Sequence, residues 1–121
     1  MRKKVILILL IFAIARITMY TDAVYAARPS EKVIHITAKK FEFTPGEITV
    51  KKGEPVTIEI TSEDVRHGFS LPDFGVRVDI KPGQKAVAHF TPDKTGKFTF
   101  TCHVFCGSGH EDMSGTLTVT E

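Results

Sequence analysis

The sequence predicts an all-β sandwich of seven or eight short antiparallel strands joined by Greek-key connections. Three observations lead to this class. Apolar and polar residues alternate along most of the chain, turn-forming pairs interrupt the alternation at near-regular spacing, and no convincing amphipathic helix follows the N-terminus. Alternation of period two buries one face of each strand and exposes the other, and strands of this kind pack as two sheets.

The predicted strands can be followed along the chain by their alternating apolar residues. In order, these are Ile34, Ile36 and Ala38, continuing to Phe41 and Phe43; Ile48 and Val50; Val56, Ile58 and Ile60; Val76, Val78 and Ile80; Ala86, Ala88 and Phe90; Phe98, Phe100 and Cys102; and Leu117 and Val119. Turn pairs such as Pro45-Gly46 and Lys52-Gly53 separate them.

The N-terminus has the pattern of a secretory signal peptide over residues 1–26. A basic MRKK precedes an apolar run at 5–15, and AVYAA supplies small residues for cleavage after Ala26. A retained short anchor is the alternative, but the uninterrupted run has 11 residues and a span needs about 20. We therefore favour export to the periplasm or the outer face of the cytoplasmic membrane, with a leader at 27–32 and a single domain at 33–121.

The charge balance excludes some partners. The whole chain has a net charge of +2, but cleavage would leave 12 basic and 13 acidic residues. No basic field then remains to attract nucleic acid or a membrane surface. We expect no nucleic-acid partner, and membrane contact only through an uncleaved N-terminus or a partner protein.

One segment, CHVFCGSGHEDM at residues 102–113, holds both cysteines, two of the five histidines and one of the three methionines. It lies between two predicted strands, so it forms one loop at an end of the sandwich, where sites are commonly built. Thiolate, imidazole and thioether are soft ligands that suit copper, whereas calcium and magnesium prefer oxygen.

Two copper sites are compatible with this spacing. Cys106, His110 and Met113 form a mononuclear set if a histidine such as His67 joins them from elsewhere. Alternatively, Cys102 and Cys106 bridge two copper ions, each ion adding one imidazole and one weak axial ligand. The residues alone leave both arrangements open.

Other chemistries explain the segment less well. Structural zinc uses closely spaced histidine pairs without methionine, whereas His67 and His110 lie 43 residues apart. A disulfide between Cys102 and Cys106 would close a short loop, remove little chain entropy and leave Met113 unexplained. A cysteine enzyme needs one thiol, a base and an oxyanion hole, and a second thiol would invite oxidation. We therefore expect no enzymatic activity.

Three further histidines, and one aromatic residue of the motif, have simpler interpretations. His35 and His89 lie among polar neighbours on predicted strands and are expected to face solvent. Alternation points His103 away from the metal, where it would shape the outer surface of the site. Phe105 is expected to pack in the loop or core.

The motif resembles the CuA motif of the periplasmic domain of cytochrome c oxidase subunit II. The upstream DVRHGFSLPDFGVRVDIKPGQ resembles the histidine segment of that family, and the likeness covers residues 41–121. Within that family the motif is similar to that of the shorter subunit II of ba-type oxidases, and the electron-entry domain of nitrous-oxide reductase shares the site. The resemblance implies a cupredoxin-like Greek-key β-sandwich with a binuclear, mixed-valence copper centre.

The resemblance also implies a function and a ligand set. The domain would relay electrons from a donor such as cytochrome c to an oxidase or another acceptor, with oxygen reduction in a partner subunit. The implied ligands are the bridging thiolates of Cys102 and Cys106, the imidazoles of His67 and His110, and, as axial donors, Met113 and the backbone carbonyl of Val104.

Two departures from the larger family members bear on partners. They carry a glutamate where this chain has Val104, and they receive electrons through an aromatic pair, whereas this chain has no tryptophan. An oxidase subunit, a free periplasmic carrier and a copper chaperone for oxidase assembly therefore stay open as roles.

Overall fold

The structure, a computed structural model, describes residues 30–121. The predicted signal peptide and residues 27–29 of the predicted leader lie outside the described residues. The described part consists of nine strands: β1 (Lys32–Lys39), β2 (Glu42–Thr44), β3 (Glu47–Lys51), β4 (Val56–Ser62), β5 (His67–Leu71), β6 (Val76–Ile80), β7 (Ala86–Phe90), β8 (Gly96–Thr101) and β9 (Ser114–Thr120). Two 3-10 helices, Pro72–Phe74 and His110–Asp112, complete it. Neither of these three-residue helices, nor any other helix over residues 30–121, could cross a membrane.

The strands form two packed sheets, which confirms the predicted β-sandwich. One sheet has the order β2-β1-β4-β7 and the other β3-β9-β8-β5-β6. The predicted antiparallel pairing does not hold throughout, because β1 pairs with β4 and β3 pairs with β9 in parallel. Apolar alternation shows which face of a strand is buried, but it carries no information on the direction of the neighbouring strand.

The count of nine strands exceeds the predicted seven or eight. The run that the sequence suggested as one strand is divided into β1 and β2, which form an antiparallel hairpin with Ala38 opposite Phe43. Both of these side chains are buried. The apolar residues Ala38 and Phe41 are three positions apart, and this break in the two-residue alternation was the signal for a turn.

The core joins the two sheets directly beneath the cysteine-containing loop. Phe43 comes from the first sheet, and Phe69 and Phe100 come from the second. Their ring centroids lie 5.8 Å apart for Phe43 and Phe69, 5.5 Å for Phe43 and Phe100, and 5.0 Å for Phe69 and Phe100. Phe69 lies two residues after His67 and Phe100 two residues before Cys102, so packing of these rings fixes the strand ends that carry both candidate ligands.

We expect Phe69→Ala to lower the free energy of unfolding by about 3–5 kcal/mol, because the ring is fully buried and its deletion leaves a cavity. Phe105→Ala is the matched control. It deletes the same ring where that side chain is 78% exposed, so a change within about 0.5 kcal/mol is expected. Urea denaturation followed by circular dichroism measures both, and equal losses would contradict this account of the core.

Candidate metal centre

The loop between β8 and β9 is closed at its base by the backbone. The Cys102 N–H donates to the Met113 carbonyl at 3.1 Å, immediately beyond the end of β8. Within the loop, the His110 N–H donates to the Gly107 carbonyl and the Met113 N–H donates to the His110 carbonyl, both at 3.2 Å. These bonds hold the loop in one shape and bring its side chains together.

The sulfur atoms of the loop form a buried cluster. Both cysteines are free thiols, and their Sγ atoms lie 3.8 Å apart. Cys106 Sγ lies 3.6 Å from His110 Nδ1 and 3.8 Å from Met113 Sδ. Cys102 Sγ lies 3.1 Å from the backbone carbonyl oxygen of Val104. The two sulfurs thus have different neighbours, and together they join two groups of donor atoms.

His67, the first residue of β5, brings an imidazole to the cluster from 35 residues upstream of Cys102. A nitrogen of its ring and both Sγ atoms lie within 4.8 Å of one another, and its side chain is fully buried. Nε2 is bonded to Asp64 Oδ1 at 2.7 Å, whereas the buried Nδ1 has no hydrogen-bond partner. A buried nitrogen without a partner costs about 1–3 kcal/mol, and a metal ion on Nδ1 would remove that cost.

All six residues proposed as ligands from the sequence lie in this one cluster. They are His67, Cys102, Val104, Cys106, His110 and Met113. Two thiols, two imidazoles and a thioether form a donor set that fits copper, since zinc sites do without methionine and hard cations require oxygen. The buried, unpartnered nitrogen on His67 supports the same fit.

Asp64 holds the His67 ring, and sequence reasoning missed it. Asp64 accepts hydrogen bonds from the Lys40 N–H at 2.7 Å and from the Val65 N–H at 2.6 Å, besides its bond to His67. Burial raises the pKa of this carboxyl, but the bonds from Lys40, His67 and Val65 outweigh it and lower the pKa to about 2. A carboxylate on the second nitrogen of a ligating histidine fixes its orientation. The available signal was an aspartate three residues before the candidate ligand.

The Cys106 thiol holds its proton tightly. Burial is the main cause, and the neighbouring Cys102 adds to it, so the pKa of Cys106 is raised to about 11 from 9.0. A metal must therefore displace a proton to bind this sulfur. Metal affinity is expected to decrease as the pH is lowered.

The loop between β8 and β9, called the ligand loop below, also packs against the ring of Phe41 from the β1–β2 turn. A Cβ added at Gly109 would lie 2.4 Å from Phe41 Cδ2, and one added at Gly107 would lie 2.9 Å from Phe41 Cε1. Only glycine allows the loop backbone to approach the ring this closely, and Gly107 also has a φ of 143°. The suggestion that these glycines permit a tight loop thus has a physical cause in Phe41, which the sequence did not reveal.

The remaining candidates lie around the cluster. The His35 and His89 side chains are 74% and 69% exposed, which confirms that they face solvent. His103 is largely buried against the outer side of β5, bonded to Asp79, and it is not among the clustered ligands. Phe105 is not in the core, because its ring is 78% exposed and lies 5.7 Å from the His110 ring.

Comparisons with known proteins identify the family and the fold. A family model described as a cupredoxin-like domain matches residues 5–119. Subunit 2 of cytochrome c oxidase from Thermus thermophilus is 32% identical over 100 residues, covering 83% of this chain and 74% of that protein. Nitrous-oxide reductase from Stutzerimonas stutzeri is 37% identical over 97 residues, covering 76% of this chain but only 15% of that protein. The crystal structure of the periplasmic domain of subunit II of cytochrome oxidase from Bradyrhizobium japonicum superposes with a TM-score of 0.69 at 27% identity, covering 74% of this chain and 84% of that one.

The two-sheet sandwich and its loop of soft donors define a copper-type cupredoxin domain. The chain belongs to the cupredoxin-like domain family, and it is similar there to subunit 2 of cytochrome c oxidase. The predicted fold and the predicted family resemblance are confirmed. The family supports a copper electron-transfer role.

We expect Asp64→Ala to lower copper affinity about 10–100-fold, the usual cost of removing the partner that orients a ligating histidine. Asp93→Ala, which removes an exposed acid from the β7–β8 connection, is the matched control and should leave affinity unchanged. Competition with a copper chelator measures both. Equal affinity for the two variants would mean that Asp64 does not position His67.

We expect the free energy of unfolding of the copper-free protein to fall as pH rises from about 9 to about 11. Folded Cys106 holds its proton up to about pH 11, whereas the unfolded thiol releases it near its ordinary value of 9.0. Stability from this group is therefore complete below pH 9 and is lost through pH 11. Cys106→Ser should lose this part of the slope in urea denaturation under reducing conditions, because the thiol that holds the proton is removed. Identical slopes in both proteins would contradict the raised pKa.

Proposed function

We propose that this domain is an exported electron-transfer module with a binuclear copper centre of the CuA kind. In this proposal the two thiolates would be shared by two copper ions, with one imidazole and one weaker donor available to each. The proposed ligands are Cys102 and Cys106 as bridges, His67 and His110 as imidazole ligands, and Met113 and the Val104 carbonyl as axial donors.

The observation that carries the proposal is the pair of buried Sγ atoms 3.8 Å apart with separate donors around each. Cys106 Sγ lies near His110 and Met113, while Cys102 Sγ lies near the Val104 carbonyl. A single copper ion would leave one of these groups without a role. When bound, copper supplies one-electron redox chemistry, and two bridging sulfurs would let both ions share the electron.

The protein's contribution is to keep the donors still. Backbone hydrogen bonds close the loop, Phe41 supports its glycines, and Asp64 holds the His67 ring. Donors locked by packing and hydrogen bonds need little movement when the charge on the site changes. Burial of the thiols also excludes water, which helps to set the reduction potential.

The proposed partners are a cytochrome c-like donor and an acceptor, either the core of an oxidase or another redox protein of a respiratory chain. The likeness to a periplasmic oxidase domain supports an exported location on this route. Phe105 supports contact with a partner, because its exposed ring lies against His110 on the ligand loop. The domain itself would transform no substrate, and any oxygen reduction would occur in a partner subunit.

A mononuclear copper site is the second candidate, since Cys106, His110 and Met113 are already within 3.8 Å contacts and His67 lies beside them. In that case Cys102 would be a bystander. A copper chaperone is a third role with the same ligands, and it would differ by releasing copper readily.

We expect the mature domain to bind two copper ions and to give a paramagnetic-resonance spectrum of one electron shared by both. Cys102→Ser and Cys106→Ser should each abolish the shared-electron spectrum, because each removes a bridge. Cys102→Ser should retain a blue-copper-like signal from the remaining set, and Met113→Leu should act more mildly, since an axial thioether binds weakly.

Copper content and spectra distinguish the alternatives. One copper per chain with a single-centre signal, unchanged in Cys102→Ser, would establish the mononuclear site in place of the binuclear one. Rapid and complete transfer of copper to a chelator, without reversible electron exchange, would favour the chaperone. His35→Ala is a control that removes an exposed histidine and should change neither measurement.

A further inference from the structure

The ring of His103 lies flat against the backbone of β5 at Gly68. A Cβ added at Gly68 would lie 2.5 Å from His103 Cε1, 2.5 Å from Nδ1 and 2.9 Å from Nε2. Three ring atoms at this range mean that the imidazole covers the Cα of Gly68 directly. The His103 side chain is only 10% exposed, although Phe105 two residues later is largely in solvent.

The covered residue contacts the candidate metal centre. The Gly68 N–H donates to Cys102 Sγ at 3.4 Å, and this is a hydrogen bond to one of the two proposed bridging sulfurs. His103 directly follows Cys102 in sequence. The imidazole of the residue after the thiol therefore packs over Gly68, whose N–H donates to that sulfur.

The ring is tethered in this position from β6. His103 Nε2 lies 3.2 Å from Asp79 Oδ1, and Asp79 is the residue directly opposite Gly68 in the β5–β6 pairing. Arg66 bonds the other oxygen of Asp79. The tether and the covered glycine thus lie at the same level of the sheet, which leaves the ring little freedom to swing away.

We propose that His103 is a positioning residue that seals the hydrogen bond from Gly68 to Cys102 against water and thereby raises the reduction potential of the copper centre. The effect on the potential rests on the proposed function, since it requires bound copper. The sealing itself is a property of the copper-free chain.

Two physical effects of the seal act in the same direction. A hydrogen bond to a thiolate withdraws electron density from sulfur, and a weaker sulfur donor favours the reduced metal. Excluding water favours the state with the smaller net charge, which for two thiolates and two copper ions is the reduced state. Opening the seal therefore lowers the potential.

The first experiment uses the copper-free protein and measures hydrogen exchange of the Gly68 amide. His103→Ala should speed this exchange at least tenfold, whereas His103→Gln should restore most of the protection, because its amide can reach Asp79 and cover Gly68. The Leu71 amide at the far end of β5 is the internal control for global opening. His89→Ala, which removes an exposed histidine on the other sheet, should change neither amide.

The second experiment measures the reduction potential of the copper-loaded variants against a one-electron mediator. His103→Ala should shift the equilibrium about tenfold toward the oxidised form, a fall of about 59 mV. His103→Gln should lie closer to the unaltered protein, and His89→Ala should match it.

The outcomes separate this inference from the proposed function. Unchanged Gly68 exchange in His103→Ala overturns the seal, and unchanged potential with faster exchange overturns its effect on the copper. Equal acceleration of Gly68 and Leu71 means that His103 only stabilises the fold, which also overturns the proposal. If the unaltered protein binds no copper, the proposed function fails, while the exchange result still decides whether His103 seals Gly68.

Discussion

The pairing of β5 with β8 is the constraint on which the site depends. Ser70 lies opposite Thr101, and this register places the start of β5 beside the end of β8. His67 therefore meets Cys102 across the sheet, and the Gly68 N–H reaches the Cys102 sulfur. A slip of one residue would turn every side chain of β5 to the opposite face and remove the imidazole from the cluster. The buried rings of Phe69 and Phe100 also fix this register, because each ring fits the core only when its strand turns that face inward.

The sheets and the loop contribute to the site in different ways. The core is formed by strand residues packed between two sheets, and the thiols close one end of it. The loop is then held by its own backbone bonds and by Phe41. The conformational entropy of these donors is lost during folding, so it is not lost again when a metal binds. The same rigidity suits electron transfer, since fixed donors need little rearrangement.

The residues around the donors matter as much as the donors themselves. Asp64 links two elements, because it bonds the β1–β2 turn at Lys40 as well as the ring of His67 at the start of β5. On the other side of the cluster, Asp79 holds His103 over Gly68. The carboxylate of Asp64 thus orients the His67 imidazole toward the cluster. The carboxylate of Asp79 holds the His103 imidazole across the outer face of the cluster. Both arrangements use a charged oxygen at the rim to fix a ring that is itself buried.

The sequence by itself determined the β-sandwich and the loop donors, because alternation and ligand spacing are local properties that survive in a linear reading. Cys102, Cys106, His110 and Met113 share one short loop, and His67 was reachable through the need for a second imidazole. Only the tertiary structure decided which strands run parallel and that Phe41, Asp64 and Gly68 support the site. These features depend on contacts between residues distant in sequence, and strand direction, ring placement and close backbone approach leave no periodic trace in the chain.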